Sequence, residues 1–522
     1  MKSALLFLVL LLDVTAFSQR FSIEIGGGYQ RNMVASTLES SYNVTTQNSD
    51  IETEKAEKFG YSNGIIERIQ LNYQLNPELF LFFGGRYVSG KQDIVYAYYL
   101  ETSPNYSSED TYSNNSTYKS LDVQVGIGIR KQLADRISLS SSVALSIAPF
   151  TRYEWTESHV QQQSNGSSTS MHSFEESVNY ENYVSLGWYS DLGITYALNR
   201  HFDLCAAVAF RGISTSPSKS TQTSYILNGV DQIAAIPANE LVNIYLKDPT
   251  PNTPNEYNRF WNSRTSAEMT VGIRYKIGGT PISEKTVTES PRFYAELASG
   301  YGIPLGVAYH SSESNLETDK RTSLGQGVYG MAFIGIPLKQ VVSLEAGVVC
   351  NSMTTEYYSP NSLTKYGNSA NMLRVALGLK VSHQLGQFQV AIKTGALTGV
   401  YEKVLVRSEG WGYNREELFS GGFTLGAYSS IQLDWNFSKN FGVFCQTMAV
   451  IQGWSPKQSE YTHYSYNGED QLANFTVAEA KTEYMSEYDE NEYDPNKPSK
   501  QLKTIEPLGS LVFSIGIRYS LW

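Results

Sequence analysis

The tetrapeptide His310-Ser311-Ser312-Glu313 sets a base, two hydroxyls and a carboxylate side by side. Those residue types could serve a hydrolase. A nucleophile, its base and an orienting acid must converge from separated elements, however, and adjacent residues on one stretch rarely do so. The other histidines, His159, His172, His201, His383 and His463, stand far apart along the chain. Neither a zinc-ligand spacing nor a phosphate-binding glycine loop is present. A second candidate is acidic: Glu483, Glu487, Asp489, Glu490, Glu492 and Asp494 could gather calcium, which takes six to eight oxygens. The stretch lacks the glycine of an EF-hand loop, and a solvated acidic loop is the plainer reading. The third set is four isolated charges in otherwise apolar or small surroundings, Glu24, Arg274, Glu296 and Arg518. A charge withdrawn from water must be paired, so these charges point to structure rather than to turnover. The sequence therefore reads as a non-enzyme with no cofactor and no metal.

The elements around those charges alternate with period two. In 121–130, Leu121, Val123, Val125, Ile127 and Ile129 share one face, and Asp122, Gln124, Gly126, Gly128 and Arg130 the other. In 137–147, Ile137, Leu139, Val143, Leu145 and Ile147 alternate with Ser138, Ser140, Ser142, Ala144 and Ser146. Connections alternate too. Turns near 75–79, 133–137 and 198–202 are short, whereas 33–58, 100–116, 157–176 and 216–263 are long and polar, which is the asymmetry of a membrane β-barrel. Within 230–249, Pro237 and the spacing of Leu241, Val242, Tyr245 and Leu246 predict a short helix that could lie over a barrel mouth, rest on the lipid interface or simply pack among loops.

The start of the chain carries Lys2, an apolar run from Ala4 to Leu12 and small residues before Gln19, the pattern of a signal peptide over 1–18. No apolar run in the remainder is long enough for a spanning helix. Net charge is −11, which argues against nucleic acid as a partner. Cys205, Cys350 and Cys445 are too few and too scattered for a disulfide framework. Tyrosine numbers 37, and Tyr and Trp favour membrane–water interfaces. An exported chain without spanning helices but rich in tyrosine can still cross a bilayer, and the way left to it is a closed barrel.

Strand starts are expected near 21, 62, 79, 119, 137, 178, 202 and 265, and again near 293, 322, 342, 371, 388, 422, 441 and 508. Two copies of one unit explain the doubling. Arg20, Phe21, Glu24, Gly28 and Tyr29 recur as Arg292, Phe293, Glu296, Gly300 and Tyr301, and Gly272–Tyr275 repeats as Gly516–Tyr519. The expected division is a first eight-stranded unit over 19–278, a periplasmic linker over 279–291 and a second unit over 292–522. If each unit closes by itself, Glu24 meets Arg274 and Glu296 meets Arg518. One merged sixteen-stranded barrel would set Glu24 beside Arg518 and leave a porin-like, water-filled channel for small solutes. Small inward residues (Ser138, Ser140, Ser142, Ala144, Ala207, Ala209, Gly126, Gly128) leave room for long side chains across a narrow lumen. That favours two small, plugged barrels.

The "RFYAELASGYGIPLG" start and "FSIGIRYSLW" finish resemble the outer-membrane β-barrel domain family of Bacteroidetes-type bacteria, once per half. The resemblance implies an all-β transmembrane fold in the outer membrane of a Gram-negative envelope, with outer-membrane lipid around it. It also implies a final strand read by the barrel-assembly machinery. Here that signal would be Phe513, Ile515, Ile517, Tyr519 and Trp522. The family implies no substrate. With Tyr/Ser/Asn-rich loops facing outward, the expected role is surface binding of an unknown extracellular ligand, or support of the envelope.

Overall fold

The computed structural model describes residues 20–33, 36–46, 49–59, 63–103, 106–165, 168–246, 253, 255–258, 262–277, 293–305, 324–339, 342–359, 364–422, 424–489, 494–503 and 505–521. The expected signal peptide and linker, His310–Glu313 and Trp522 lie outside the described residues.

Eight strands form a first closed ring: β1 (Phe21–Asn32), β2 (Gly64–Gln74), β3 (Leu79–Ser103), β4 (Tyr106–Ala134), β5 (Ile137–Asn165), β6 (Ser185–Ala197), β7 (Phe202–Thr215) and β8 (Asn262–Ile277). Each pairs antiparallel with the next, and β8 returns to β1 in a register that sets Glu24 opposite Arg274. The second ring is β9 (Phe293–Pro304), β10 (Gly327–Lys339), β11 (Val342–Ser359), β12 (Thr364–Leu385), β13 (Phe388–Gly410), β14 (Leu425–Asn436), β15 (Phe441–Trp454) and β16 (Ser510–Leu521). It closes the same way, with Glu296 opposite Arg518. The alternative of one sixteen-stranded barrel is therefore overturned, because β1 and β16 each pair within their own ring. Closure leaves no unpaired edge, which a backbone in lipid requires.

The outward faces are apolar where the rings close. Ile25, Ile69, Val271, Leu297, Ile515 and Ile517 all point away from the lumen and are exposed. Aromatic rings flank this band at the short-turn end, Phe202 against Tyr275 at 5.2 Å and Phe441 against Tyr519 at 4.7 Å. Tyr29, Phe150, Tyr301 and Tyr401 are exposed at the other end. An apolar belt between aromatic girdles is the surface of a membrane-spanning barrel.

Two expectations are corrected. The stretches 106–116 and 157–176 are not loops: β3, β4 and β5 run on past the belt as an apron. It is widened by strands at Ser168–Asn182 and Pro217–Leu227, while Ser36–Thr46 and Ser49–Phe59 form a hairpin. Above the membrane both faces meet water, so apolar alternation vanishes while the ladder hydrogen bonds persist. The same break explains Val178. It lies on the apron strand, and the barrel strand resumes at Ser185 after Tyr183 and Val184. The helix expected over 230–249 is absent from its described residues, 230–246. Ile233–Ala235 makes one 3-10 turn, and Val242–Leu246 is a strand paired to Lys219–Thr221. Val242 and Ile244 are β-branched, and a neighbouring strand edge satisfies their backbone better than an isolated short helix would.

The barrels pack side by side. Leu79, Ile129, Leu139 and Val143 of the first bury against Val342, Val381 and Ile392 of the second. Trp188 Nε1 donates to Ser429 Oγ at 2.7 Å, and Ser141 and Thr394 hydroxyls lie 3.4 Å apart. Small outward residues let the two walls approach. At the short-turn end, Glu78 bonds Lys131 and accepts His383 Nδ1 at 2.5 Å, and His383 Nε2 meets Asn76 Nδ2 at 3.0 Å.

Candidate functional site: the two filled lumens

Inward positions decide whether either barrel conducts. In the first, glycine and serine on β4 and β5 open space that rings and guanidinium groups fill. A Cβ on Gly128 would sit 2.2 Å from the Phe80 ring, so Phe80 reaches across because that position has none. Glu24 receives Arg274 Nη2 at 2.6 Å and also pairs with Arg68. Arg68 Nη1 donates to Tyr189 OH at 3.0 Å and stands 3.8 Å from Asp191, whose other oxygen accepts Ser142 Oγ at 2.8 Å. Asp203 holds Lys276 at 2.8 Å and lies 3.9 Å from Arg274.

One layer outward, Arg86 pairs with both Asp122 and Glu268 and also bonds Gln30. Arg211 Nη2 reaches Asp122 at 2.8 Å, and Ser120 Oγ donates to the same carboxylate at 2.8 Å. Side-chain exposure is 1% for Arg86, 0% for Asp122 and 1% for Glu268. In a water-filled pore these groups would be wet. Their burial means that side chains occupy the cross-section at this level.

The second lumen is built differently. Glu296 takes Lys380 Nζ at 2.5 Å, pairs with Lys393, and accepts Gln432 Nε2 at 3.1 Å. Lys393 also lies 3.2 Å from Glu345, which accepts Tyr294 OH at 2.8 Å. Arg518 turns to Asp434 at 3.4 Å and donates to Asn436 Oδ1 at 2.5 Å. Glu296 and Arg518 are thus opposite in register, yet their side chains have other partners. Lysines from β12 and β13 reach Glu296 across the lumen, and Asp434 on β14 draws Arg518 toward the short-turn end. Above this layer apolar side chains predominate, with Tyr329, Met331, Phe333, Tyr428 and Met448 in one cluster and Met353, Met372, Phe419 and Trp454 in another. Arg374, donating to Asn351 Oδ1 at 2.6 Å, and Glu402, accepting Thr424 Oγ1 at 2.9 Å, are buried there too. Trp454 is fully buried, its Nε1 donating to the Gly421 carbonyl at 3.0 Å.

Sequence reasoning located Glu24, Arg274, Glu296 and Arg518 but missed Arg68, Arg86, Asp122, Arg211, Glu268, Lys380 and Lys393. Each of these occupies the inward phase of an alternating strand, which was the available signal. Of the terminal strand, Phe513, Ile515, Ile517 and Tyr519 all face outward. Of the acidic stretch, 490–493 lies outside the described residues. Glu487–Asp489 is a strand pairing with Thr53–Lys55 of the first barrel's hairpin, and Asp494 is tied to Lys497 and Asn496. Among the described residues no group of three or more His, Cys, Asp or Glu side chains could hold a metal ion. Cys205 faces the first lumen, Cys350 and Cys445 face outward, and all three are free.

Fold and lumen together define a membrane-spanning protein of two eight-stranded barrels with filled interiors. No family model matches the chain, and no curated protein matches it. Among solved structures it is similar to the toluene transporter TodX of P. putida, at 8% identity and TM-score 0.21 over 97% of this chain and 92% of that one. It is also similar to the outer membrane protease OmpT of Escherichia coli, at 9% identity and TM-score 0.18 over 97% of each chain. A third is a Pseudomonas aeruginosa FadL homologue, at 10% identity and TM-score 0.19 over 96% of this chain and 90% of that one. Likeness at those scores carries no argument about function.

Proposed function

We propose that this protein is a non-catalytic, non-conducting barrel of a Gram-negative outer membrane, whose two plugged barrels hold a Tyr/Ser/Asn-rich apron outside the cell for binding a partner. The observation that carries the reading is the buried Arg86–Asp122–Glu268 bridge across the first lumen, matched by Glu296 with Lys380 and Lys393 in the second. Charges this dry obstruct a solute path, and they fix the position of the strands from which the apron extends. The proposal includes the tandem Bacteroidetes-type resemblance, export by the signal peptide, and assembly through the Phe513–Trp522 strand. The common Glu–Arg register of the two closing seams supports the duplication.

The test is planar-bilayer conductance of the refolded full-length protein, with folding checked by heat-modifiable gel mobility. Folded protein should be silent. Steady single-channel steps would overturn the reading and make transport the function.

A further inference from the structure

Among the described residues, three two-residue hairpin turns place both central residues at positive φ. Two of them use Asn-Gly, the pair suited to that geometry: Asn228 (φ 48°) with Gly229 (φ 76°), and Asn467 (φ 51°) with Gly468 (φ 83°). The third, joining β13 to the strand Tyr413–Ser420, uses Trp411 (φ 51°) and Gly412 (φ 80°). A bulky aromatic at positive φ is an outlier that packing normally has to support. Here packing does not, because Trp411 is 71% exposed, and among the described residues nothing hydrogen-bonds, pairs or stacks with its ring. Gly412 is fitted to its place, since a Cβ there would lie 2.5 Å from Asn467 Oδ1.

The surroundings narrow the partner. Tyr413 pairs directly with Tyr466, itself exposed, and Asn467 N donates to the Gly412 carbonyl at 2.6 Å, so the two turn tips abut. The tip therefore presents aromatic faces beside a neutral amide. Of the nearby charges, Arg407 Nε holds Glu416 at 2.7 Å and Arg415 Nε donates to Ser408 Oγ at 2.8 Å, while Glu409 and Glu469 are exposed beside the tip. Exposed carboxylates disfavour an anionic ligand. Trp411 stands about ten residues beyond the Tyr401 girdle, on the order of 30 Å of strand, too far to touch lipid. Two adjoining turns also offer much less than the roughly 800 Å² per partner of a stable protein interface. A pyranose ring needs only one aromatic face, because its polarised C–H groups match the negative π surface while its hydroxyls take amide hydrogen bonds.

We propose that the Trp411–Tyr413–Tyr466–Asn467 tip is a binding site for a neutral saccharide chain. This rests on the surface-binding reading above and names its ligand class. The test uses the full-length protein in lipid nanodiscs on an array of neutral gluco-, manno-, galacto- and xylo-configured oligosaccharides. Wild type should bind at least one chain. Trp411→Asn should fold at least as well, since it installs the residue of the two sister turns, yet lose binding by about tenfold or more. Trp411→Phe should retain part of the affinity. A blank array for folded wild type, or unchanged binding by Trp411→Asn, would overturn the proposal. The conductance result is independent of both, so failure of this site and failure of the plugged-barrel reading are separately visible.

Discussion

Replacing Arg86 by methionine tests whether the first lumen is dry. Methionine keeps the apolar stem of the side chain and removes the charged guanidinium group. Asp122 would keep Arg211 at 2.8 Å and Ser120 at 2.8 Å, so it stays compensated. Glu268 would retain only the neutral Ser266 hydroxyl at 3.3 Å and would become a buried carboxylate without a cation. Breaking one partner of a buried pair costs about 3–5 kcal/mol, against about 0–1 kcal/mol for a pair in water. With a urea dependence of about 2 kcal/mol per M, the first barrel's midpoint should fall by roughly 2 M. The assay is urea unfolding in lipid vesicles, followed by β-sheet signal and gel mobility, with the second barrel's transition as internal control. Arg86→Met/Glu268→Gln should recover much of the loss, because it removes the stranded charge as well. A shift under about 1 kcal/mol, or a double variant no better than the single, would refute the dry-lumen argument and favour a hydrated passage.

Three other outcomes follow from the geometry. Glu157 and Glu176 stand directly opposite on the apron, and burial, then the Glu157 charge, pushes the Glu176 carboxyl above its usual range. A carboxyl raised in the folded state favours folding while protonated, and that contribution is lost as pH rises through its folded pKa. Amide exchange in the apron, corrected for intrinsic rates, should therefore quicken as pH rises above the ordinary glutamate pKa of about 4.3, and Glu176→Gln should flatten the dependence; an unchanged profile would contradict it. Ser141→Leu should overpack the contact between the barrels and cost about 1–3 kcal/mol, read by the same urea assay. If a protease site is placed between the barrels and cut after folding, the halves should co-purify in mild detergent through the Leu79–Val381–Ile392 contact, and free halves would show that contact to be weak.

Much of this architecture is legible in the sequence because lipid imposes a strict code. Where a strand crosses the bilayer, every second residue must be apolar, so the expected starts at Phe21, Leu79, Ile137, Phe202, Phe293, Val342, Phe388 and Phe441 coincide with observed ones. Outside the bilayer the code lapses. Residues 106–116 are as strand-like as 121–130 in their hydrogen bonding, but Ser113, Asn114, Asn115 and Ser116 show no apolar phase to read. The missed helix has the same origin. Leu241 and Tyr245 carry a helical spacing, yet β-branched neighbours and an available strand edge outweigh it.

Lumen partners were harder still, and the two seams show why. Adjacency of first and last strands predicts a pair, and Glu24 with Arg274 makes one. The same adjacency sets Glu296 beside Arg518, but a narrow barrel brings every strand within a side chain's reach of every other. Whichever counter-charge arrives with the best geometry then takes the site. In the first barrel Asp203 is 3.9 Å from Arg274 and is already held by Lys276 at 2.8 Å, so Arg274 is left to Glu24. In the second, Asp434 lies on the neighbouring wall for Arg518, and two lysines converge on Glu296 from the opposite side. Register is a property of strand pairs and can be read along the chain. Charge pairing in a filled lumen belongs to the whole cross-section. Swapping Asp434 for asparagine should therefore leave Arg518 on Asn436 and Gln389 at the short-turn end and Glu296 on its two lysines, and an Arg518–Glu296 contact in the variant's crystal structure would show instead that strand adjacency decides the pairing.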